Sequence, residues 1–289
     1  VHFAGGIFSN ITHDHLDFHK TFAEYIKAKK GFFDILSPKA FALTNIDDQN
    51  GMVMFQNTKA MKYTYSLKTI ADFHAIVLEN DFEAQLLNIE GIEIWTKLIG
   101  QFNAYNVLVI YSTAILLGLN KDEILKVLSQ LEPAQGRFES VSTSKGTKAI
   151  IDYAHTPDAL INVIKTINQI RKSNGKLITV VGCGGDRDKT KRPIMAKIAA
   201  ENSDTLILTS DNPRTENPEE IIKDMQSGLD IITEKKSFTI LNRHDAIKLA
   251  CQLANKEDVI LVAGKGHETY QEINGVRHHF DDKEEVLKY

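Results

Sequence analysis

Leu177-Ile178-Thr179-Val180-Val181-Gly182-Cys183-Gly184-Gly185-Asp186-Arg187-Asp188 sets the pattern for the second half of this chain. Five aliphatic or β-branched residues stop abruptly at a glycine-rich polar loop. Thr205-Leu206-Ile207-Leu208-Thr209 runs the same way into Ser210-Asp211-Asn212-Pro213-Arg214, and Val259-Ile260-Leu261-Val262-Ala263 into Gly264-Lys265-Gly266-His267-Glu268. Such runs read as strands buried on both faces, the pattern of a parallel sheet. Open parallel sheets bind ligands in the crevice beyond the carboxyl ends of their strands. The three loops are therefore expected to face one site. They bring Arg187, Arg214, several carboxylates, and glycines that let backbone approach a ligand.

Outward from these loops, strands and helices alternate from about Ser140. Strand 148–152 precedes a helix from Pro157, strand 176–181 one from Pro193, and strand 205–209 one from Pro218. Strand 238–241 precedes a helix from His244, and the last strand is 258–263. Proline early in three of these helices sits where its missing N–H is harmless. The series is βαβ and predicts a doubly wound, Rossmann-like α/β domain. Pro133 to Glu139 reads as the linker before it.

The first half is less regular. Residues 1–9 and 41–44 read as strands, 45–48 as a turn and 73–96 as a short β-meander. A strongly apolar helix is predicted from Ala104 to Leu117, with Asn103 as its N-cap and Gly118 as its stop. Asn106 lies one turn further in, either beside a ligand or merely part of the cap. Asn120 and Asp122 open another helix, ending at Leu131. A helix from Thr21 to Leu36 carries Phe22, Tyr25, Ile26, Phe32, Phe33 and Leu36 on one stripe. Lys29 falls near the middle of that stripe, whereas Lys20, Lys27 and Lys30 point away from it. A buried lysine must be paired or chemically altered, unless it snorkels to solvent. Just before this helix, Asn10 to His19 holds three histidines and two aspartates, suited either to a divalent cation or to a polar turn.

With 289 residues the chain has room for two domains of roughly 150 residues each. Its net charge of −4 offers no footprint for nucleic acid. No apolar run reaches the ~18 residues of a membrane span, and no signal peptide is evident. Cys183 and Cys251 lack the spacing of a disulfide framework or zinc site, which suits a reducing cytosol. Gly182-Cys183-Gly184 invites a dinucleotide reading, but the fingerprint's third glycine falls at Arg187. No stretch matches the phosphate loop G-x-x-x-x-G-K-[ST]. Arg187 and Arg214, each flanked by acids, fit either surface ion pairs or a carboxylate or phosphate clamp. With Glu268 able to accept an ammonium, the positive and negative groups suit a zwitterion such as an amino acid.

Taken together, these motifs resemble the Mur ligase family, the ATP-dependent amide ligases of peptidoglycan precursor synthesis. Asn10 to His19 is similar to the family's N-x-x-x-D-H-x-D-x-H stretch, and Tyr25-Ile26-Lys27-Ala28-Lys29 to Y-x-x-A-K. Gly100 to Asn106 resembles G-x-F-N-x-x-N, Gly136 to Glu139 the G-R-[FM]-E linker, and Asp152 to Asp158 the D-Y-A-H-x-P-D motif. The resemblance implies magnesium held by His15 and by Lys29 as a carbamate, both counted as catalytic. It implies ATP contacts from Asn103, Asn106, Arg137, Asp152 and His155. Asp211-Asn212-Pro213-Arg214 is similar to the D-N-P-R that goes with diaminopimelate, so Arg187, Asp211, Asn212, Pro213, Arg214, Gly264 and Glu268 are its implied contacts. The implied reaction joins meso-diaminopimelate to UDP-MurNAc-L-Ala-D-Glu through an acyl phosphate, releasing ADP. The implied domains are residues 1–138, the later part of a central ATPase domain, and residues 139–289, an amino-acid-binding ligase domain.

The family's UDP-binding domain, its G-T-N-G-K-T phosphate loop and an upstream glutamate have no counterpart in this sequence. The chain is therefore expected to be a piece that does not turn over alone, part of a cytoplasmic monomer that meets neither membrane nor nucleic acid. Other readings stand beside this one. They are a lysine-adding or D-Ala-D-Ala-adding relative, a noncatalytic amino-acid-binding module, and an NAD-dependent dehydrogenase, for which the glycine fingerprint fails.

Overall fold

A computed structural model describes residues 1–12 and 21–289. His13 to Lys20, and with them His15 and most of the histidine–aspartate loop, lie outside the described residues. The chain divides into two compact units, Val1–Glu132 and Pro133–Tyr289. The linker stretch 133–138 thus packs with the second unit.

In the first unit the described residues form a six-stranded sheet in sequence order. Strands β1 (Gly5–Phe8), β2 (Phe41–Asn45), β3 (Met61–Ser66) and β4 (Phe73–Asn80) are parallel. β5 (Gln85–Ile89) and β6 (Ile92–Thr96) complete it antiparallel, the expected meander. All five residues of β2 are buried, and their alternation feeds two cores. Phe41 and Leu43 join a cluster with helix α2 (Gln101–Leu116) and α3 (Lys121–Gln130). Ala42 joins the other, with Phe8, Phe33 and Leu36 around helix α1 (Phe22–Asp34) and the 3-10 turn Gly51–Phe55.

Two expectations need correction here, and one left open is decided. The strand foreseen over 1–9 is confined to β1, and a strand at 61–66 was not foreseen. Asn103 does not cap α2. Gly100 occupies the cap at φ 95°, a conformation open to glycine, and the buried Asn103 amide turns back to donate to the Ile99 carbonyl at 2.9 Å. Of the two readings of Lys29, the exposed one holds: Phe33 and Leu36 are the buried members of the stripe, and Phe22, Tyr25, Ile26 and Phe32 are only partly covered. The ammonium comes out over the Tyr25 ring, 5.4 Å from its centroid.

The second unit is doubly wound. Its sheet runs β11 (Ser237–Thr239), β10 (Thr205–Leu208), β9 (Leu177–Val181), β12 (Val259–Ala263), β8 (Lys148–Asp152), β7 (Glu139–Ser142). All are parallel except the edge strand β7, which was not foreseen. Every residue of β9 and β12 is buried, as the apolar runs demanded. Ile178, Val180, Ile207, Ile260 and Val262 face helix α8 (Arg243–Leu253), packing on its Ala246, Ile247 and Ala250. The alternate residues face the opposite way. There helices α4 (Pro157–Ile170), α5 (Lys191–Asn202) and α6 (Pro218–Gln226) pack in succession. α4 and α6 start with proline; α5 starts two residues before Pro193. The chain travels from β8 past the β12 position to β9, β10 and β11, then returns to insert β12 between β8 and β9. That reversal makes a crevice at the carboxyl ends of β8, β12 and β9. A short helix α7 (Ile231–Glu234), a hairpin of β13 (Tyr270–Ile273) and β14 (Val276–His279), and a closing helix α9 (Asp282–Leu287) were not foreseen. No helix among the described residues is long and apolar enough to cross a membrane.

Candidate functional site

The three polar loops meet at the carboxyl ends of β9, β10 and β12. Gly185 donates its N–H to Asn212 at 2.9 Å, and a Cβ on Gly185 would lie 2.0 Å from the Pro213 carbonyl oxygen. Only a glycine lets the loop after β9 press this closely on the loop after β10. Gly264, at φ 117°, closes the third side: a Cβ there would lie 2.5 Å from Asp211 Oδ2.

Asn212 is the hub. Its amide donates to Glu268 Oε2 at 2.7 Å, and its Oδ1 accepts the Lys265 ammonium at 3.1 Å and the Glu272 N–H at 2.9 Å. Lys265 is fully buried, 3.5 Å from Glu268 Oε2 and 5.5 Å from the centroid of the Tyr270 ring. Asp211 is buried too. Its backbone carbonyl accepts from the Gln271 amide at 2.6 Å, while its carboxylate takes no hydrogen bond from the described residues.

Arg214 sits at φ 50°, unusual for a residue with a side chain. The β13–β14 hairpin holds it there: its N–H donates to the Glu272 carbonyl at 3.0 Å and its carbonyl accepts from Asn274 at 2.7 Å. The half-buried guanidinium donates through Nη1 to the Gly185 carbonyl at 2.7 Å. Its remaining donors find no acceptor among the described residues, so most of the planar fork is free for a ligand. Arg187 is exposed, and its guanidinium makes no hydrogen bond to the described residues.

A second group gathers at the end of β8. Asp152 is buried, with Oδ2 accepting the Phe138 N–H at 2.7 Å. Burial pushes its carboxyl up to about 6, against the Phe138 N–H, the Arg137 charge and the Ala154 N–H. The exposed Arg137 guanidinium stacks on Tyr153, 4.6 Å from the ring centroid. Tyr153 also meets His155 edge-on at 4.6 Å and His267 at 5.0 Å. His155 is fixed by its ring Nδ1 against the Tyr153 carbonyl at 2.8 Å. Planar rings beside a guanidinium suit a nucleotide's base and phosphates. Asn103 and Asn106 lie in the first unit, joined by an amide hydrogen bond of 3.1 Å.

The second unit thus brings together Arg187, Asp211, Asn212, Pro213, Arg214, Gly264 and Glu268, and separately Arg137, Asp152 and His155. Sequence reasoning passed over Lys265, Tyr153 and Gln271. The first two stand inside quoted motifs and could have been found there; Gln271 has no sequence signal, since only the hairpin brings it to Asp211. Toward a metal the described residues offer little. His15 is not among them, and no cluster of three or more His, Cys, Asp or Glu side chains among them could hold one.

A doubly wound unit with a charged cluster at its crevice and a ring-and-guanidinium group beside it suits the binding of small charged ligands. The chain belongs to the Mur ligase family. The Mur ligase middle domain matches residues 1–114 and the Mur ligase glutamate ligase domain residues 136–266. The UDP-N-acetylmuramoyl-L-alanyl-D-glutamate–2,6-diaminopimelate ligase of Bacteroides thetaiotaomicron is 57% identical over 286 residues, 99% of this chain and 59% of the relative. The Clostridioides difficile ligase of the same name is 45% identical, over 96% of this chain and 58% of the relative. A solved structure of a ligase of that name, 37% identical, superposes with a TM-score of 0.63 over 98% of this chain and 59% of that one. The chain therefore spans about three fifths of the length of these relatives.

Proposed function

We propose that the protein carrying this chain is an ATP-dependent ligase that adds meso-diaminopimelate to UDP-MurNAc-L-Ala-D-Glu during peptidoglycan precursor synthesis. One observation carries the choice of amino acid. The Arg214 fork is fixed by its own backbone, left largely without acceptors among the described residues, and set beside the Asn212–Glu268–Lys265 cluster. A guanidinium clamp matches the distal carboxylate that separates diaminopimelate from lysine. Asp211 and Glu268 would take the ammonium groups, Gly264 would admit the ligand to backbone contact, and Pro213 would stiffen the loop. Arg187 would complete the charge complement. The names of the relatives support the same substrate pair.

In this reading ATP phosphorylates the γ-carboxylate of the D-glutamyl residue, giving an acyl phosphate and ADP. The amine held in the second unit attacks the carbonyl, phosphate leaves, and an amide remains. The residues of this chain orient the amine and exclude misplaced acceptors, so their contribution is chiefly one of proximity. Arg137, Asp152 and His155 are assigned to nucleotide in the second unit, and Asn103 and Asn106 to nucleotide in the first. Magnesium, assigned to His15 and to Lys29 as a carbamate, would offset phosphate charge when bound. Lys29 is exposed, so its amine is open to carbamylation. The reading places the ligase in the cytoplasm as a monomer.

The test is Arg214→Ala in the full-length protein. Loss of a charge-assisted fork worth about 1.5–3 kcal/mol lowers affinity for diaminopimelate on the order of 10- to 100-fold while leaving any turnover of lysine unchanged. Undiminished dependence on diaminopimelate would refute the reading.

A further inference from the structure

Arg192, the second residue of α5, is 1% exposed yet lies outside both groups described above. Its guanidinium holds Glu216 through Nη2–Oε1 at 2.8 Å and Nη1–Oε2 at 3.1 Å. Nη1 also reaches Asp224 at 2.8 Å, and Nη2 the Gly184 carbonyl at 3.4 Å. Glu216 accepts the Asp186 N–H at 2.6 Å and the Lys189 ammonium at 3.0 Å. Asp186 in turn accepts the Thr215 N–H at 3.2 Å and the Thr215 hydroxyl at 2.8 Å. Asp186 immediately precedes Arg187, and Thr215 immediately follows Arg214. Asp186 and Arg214 both hold left-handed backbone, at φ 53° and 50°.

Stability alone does not account for this arrangement. Burying a guanidinium carries a heavy desolvation penalty, and an apolar side chain of similar volume often serves packing as well or better. Arg192 also leaves its Nε without an acceptor among the described residues. What the ion pairs do supply is direction. They tie the loop after β9 to the loop after β10 through the two residues that adjoin the two arginines. The Arg187 guanidinium makes no hydrogen bond to the described residues, so its placement rests on the backbone of Asp186.

We propose that Arg192, Glu216, Asp186 and Thr215 form a brace that fixes the spacing of Arg187 and Arg214, with Glu216 a positioning residue for recognition of the amino acid's distal carboxylate. This rests on the reading given under Proposed function. A bidentate clamp tolerates little misplacement, and a shift of about 1 Å at such a site is enough to lose its benefit.

The experiment uses the full-length protein with Glu216→Gln, which keeps the shape and an acceptor oxygen but removes the charge. Thr215→Val, on the exposed end of the brace, serves as the milder partner. Steady-state kinetics are measured for each of the three substrates, with lysine as competing amino acid. In Glu216→Gln the KM for diaminopimelate rises about tenfold, equivalent to about 1.4 kcal/mol. Its kcat, and the KM values for ATP and the UDP-dipeptide, stay within about twofold. Preference for diaminopimelate over lysine falls by the same factor, and Thr215→Val moves both quantities the same way by less. An unchanged KM in both variants overturns the brace. So does a parallel loss across all three substrates with a lowered Tm, because that marks a merely structural ion pair. Arg214→Ala, run alongside, separates the two claims. If it spares diaminopimelate dependence, the recognition reading itself fails and the brace falls with it; if it does not, failure of Glu216→Gln overturns the brace alone.

Discussion

Asp152 gives the sharpest test of the second unit, because its burial has a definite pH signature. The carboxyl ends β8, is 5% exposed, and is pushed up to about 6 chiefly by burial. An unfolded aspartate titrates near 3.9. The folded value is therefore raised. The associated stability is fully present below about pH 3.9 and is lost as pH rises through about 6. With these values, ionising Asp152 costs the folded unit roughly 0.5 kcal/mol at pH 4 and on the order of 3 kcal/mol at pH 7. Asp152→Asn removes the charge while its amide oxygen still accepts the Phe138 N–H. The new NH2 group can cost about 1–2 kcal/mol if it finds no partner, but that cost does not vary with pH. The stability of Asp152→Asn relative to the parent should therefore rise by about 2 kcal/mol from pH 4 to pH 7. Carboxylates held low, such as Glu139, Asp204 and Glu216, titrate in both proteins and cancel in the difference. Urea unfolding of both proteins at several pH values measures it. A difference that does not change with pH would show that Asp152 is not desolvated as the geometry implies.

Two further substitutions probe the scaffold behind the site. Arg243 and Asp282 form a doubly hydrogen-bonded pair, both at 2.7 Å and both wholly buried, with Arg243 also donating to the Ala263 carbonyl at the end of β12. Asp282→Ala leaves an uncompensated buried charge and should lower unfolding stability by about 3–5 kcal/mol, read from the urea midpoint; a loss under about 1 kcal/mol would contradict the pairing. Gly264→Ala forces a side chain into left-handed backbone and against Asp211 Oδ2, so about 1–3 kcal/mol of stability and most of the amino-acid-dependent turnover of the full-length protein should be lost. Turnover near the parent's would mean that the loop after β12 yields freely.

How much of this was legible in the sequence depended on whether the signal was local. The fully buried strands β9 and β12 could be read because residues covered on both faces must be apolar throughout. The polar loops that follow them could be read for the same reason, since hydrophobicity stops at the sheet's edge. Helix α4 announced itself through Pro157, whose missing N–H is harmless in the first turn; the Thr156 side chain that caps it was not read. The β13–β14 hairpin escaped notice, although Asn274-Gly275 is a strong turn signal, because its outer strand Val276–His279 is exposed and shows no alternation. The depth of Lys29 stayed open in the sequence because angular spacing on a helix says which face a residue shares, not how deeply that face is buried. Arg192 and Glu216 lie 24 residues apart, and nothing near either one predicts that they meet.

The two arginines that a sequence reading treats alike are unlike in the structure. Arg214 is held at both backbone polar groups by the hairpin and at Nη1 by Gly185, so its fork is largely ordered before a ligand arrives. Arg187 is exposed and free of hydrogen bonds to the described residues, and must give up side-chain freedom, up to about 2 kcal/mol, to engage the same ligand. A preorganised group discriminates between ligands, because a ligand that fails to match it gains nothing from its order. A mobile one adds attraction at a cost nearly independent of which carboxylate it meets. Selectivity for a second carboxylate should therefore reside mainly in Arg214 and the elements that fix it, with Arg187 adding affinity more evenly across amino acids. On that reading, the backbone hydrogen bonds that join the hairpin to the 211–214 loop serve selectivity, because they hold Arg214 in a left-handed conformation it would not otherwise keep.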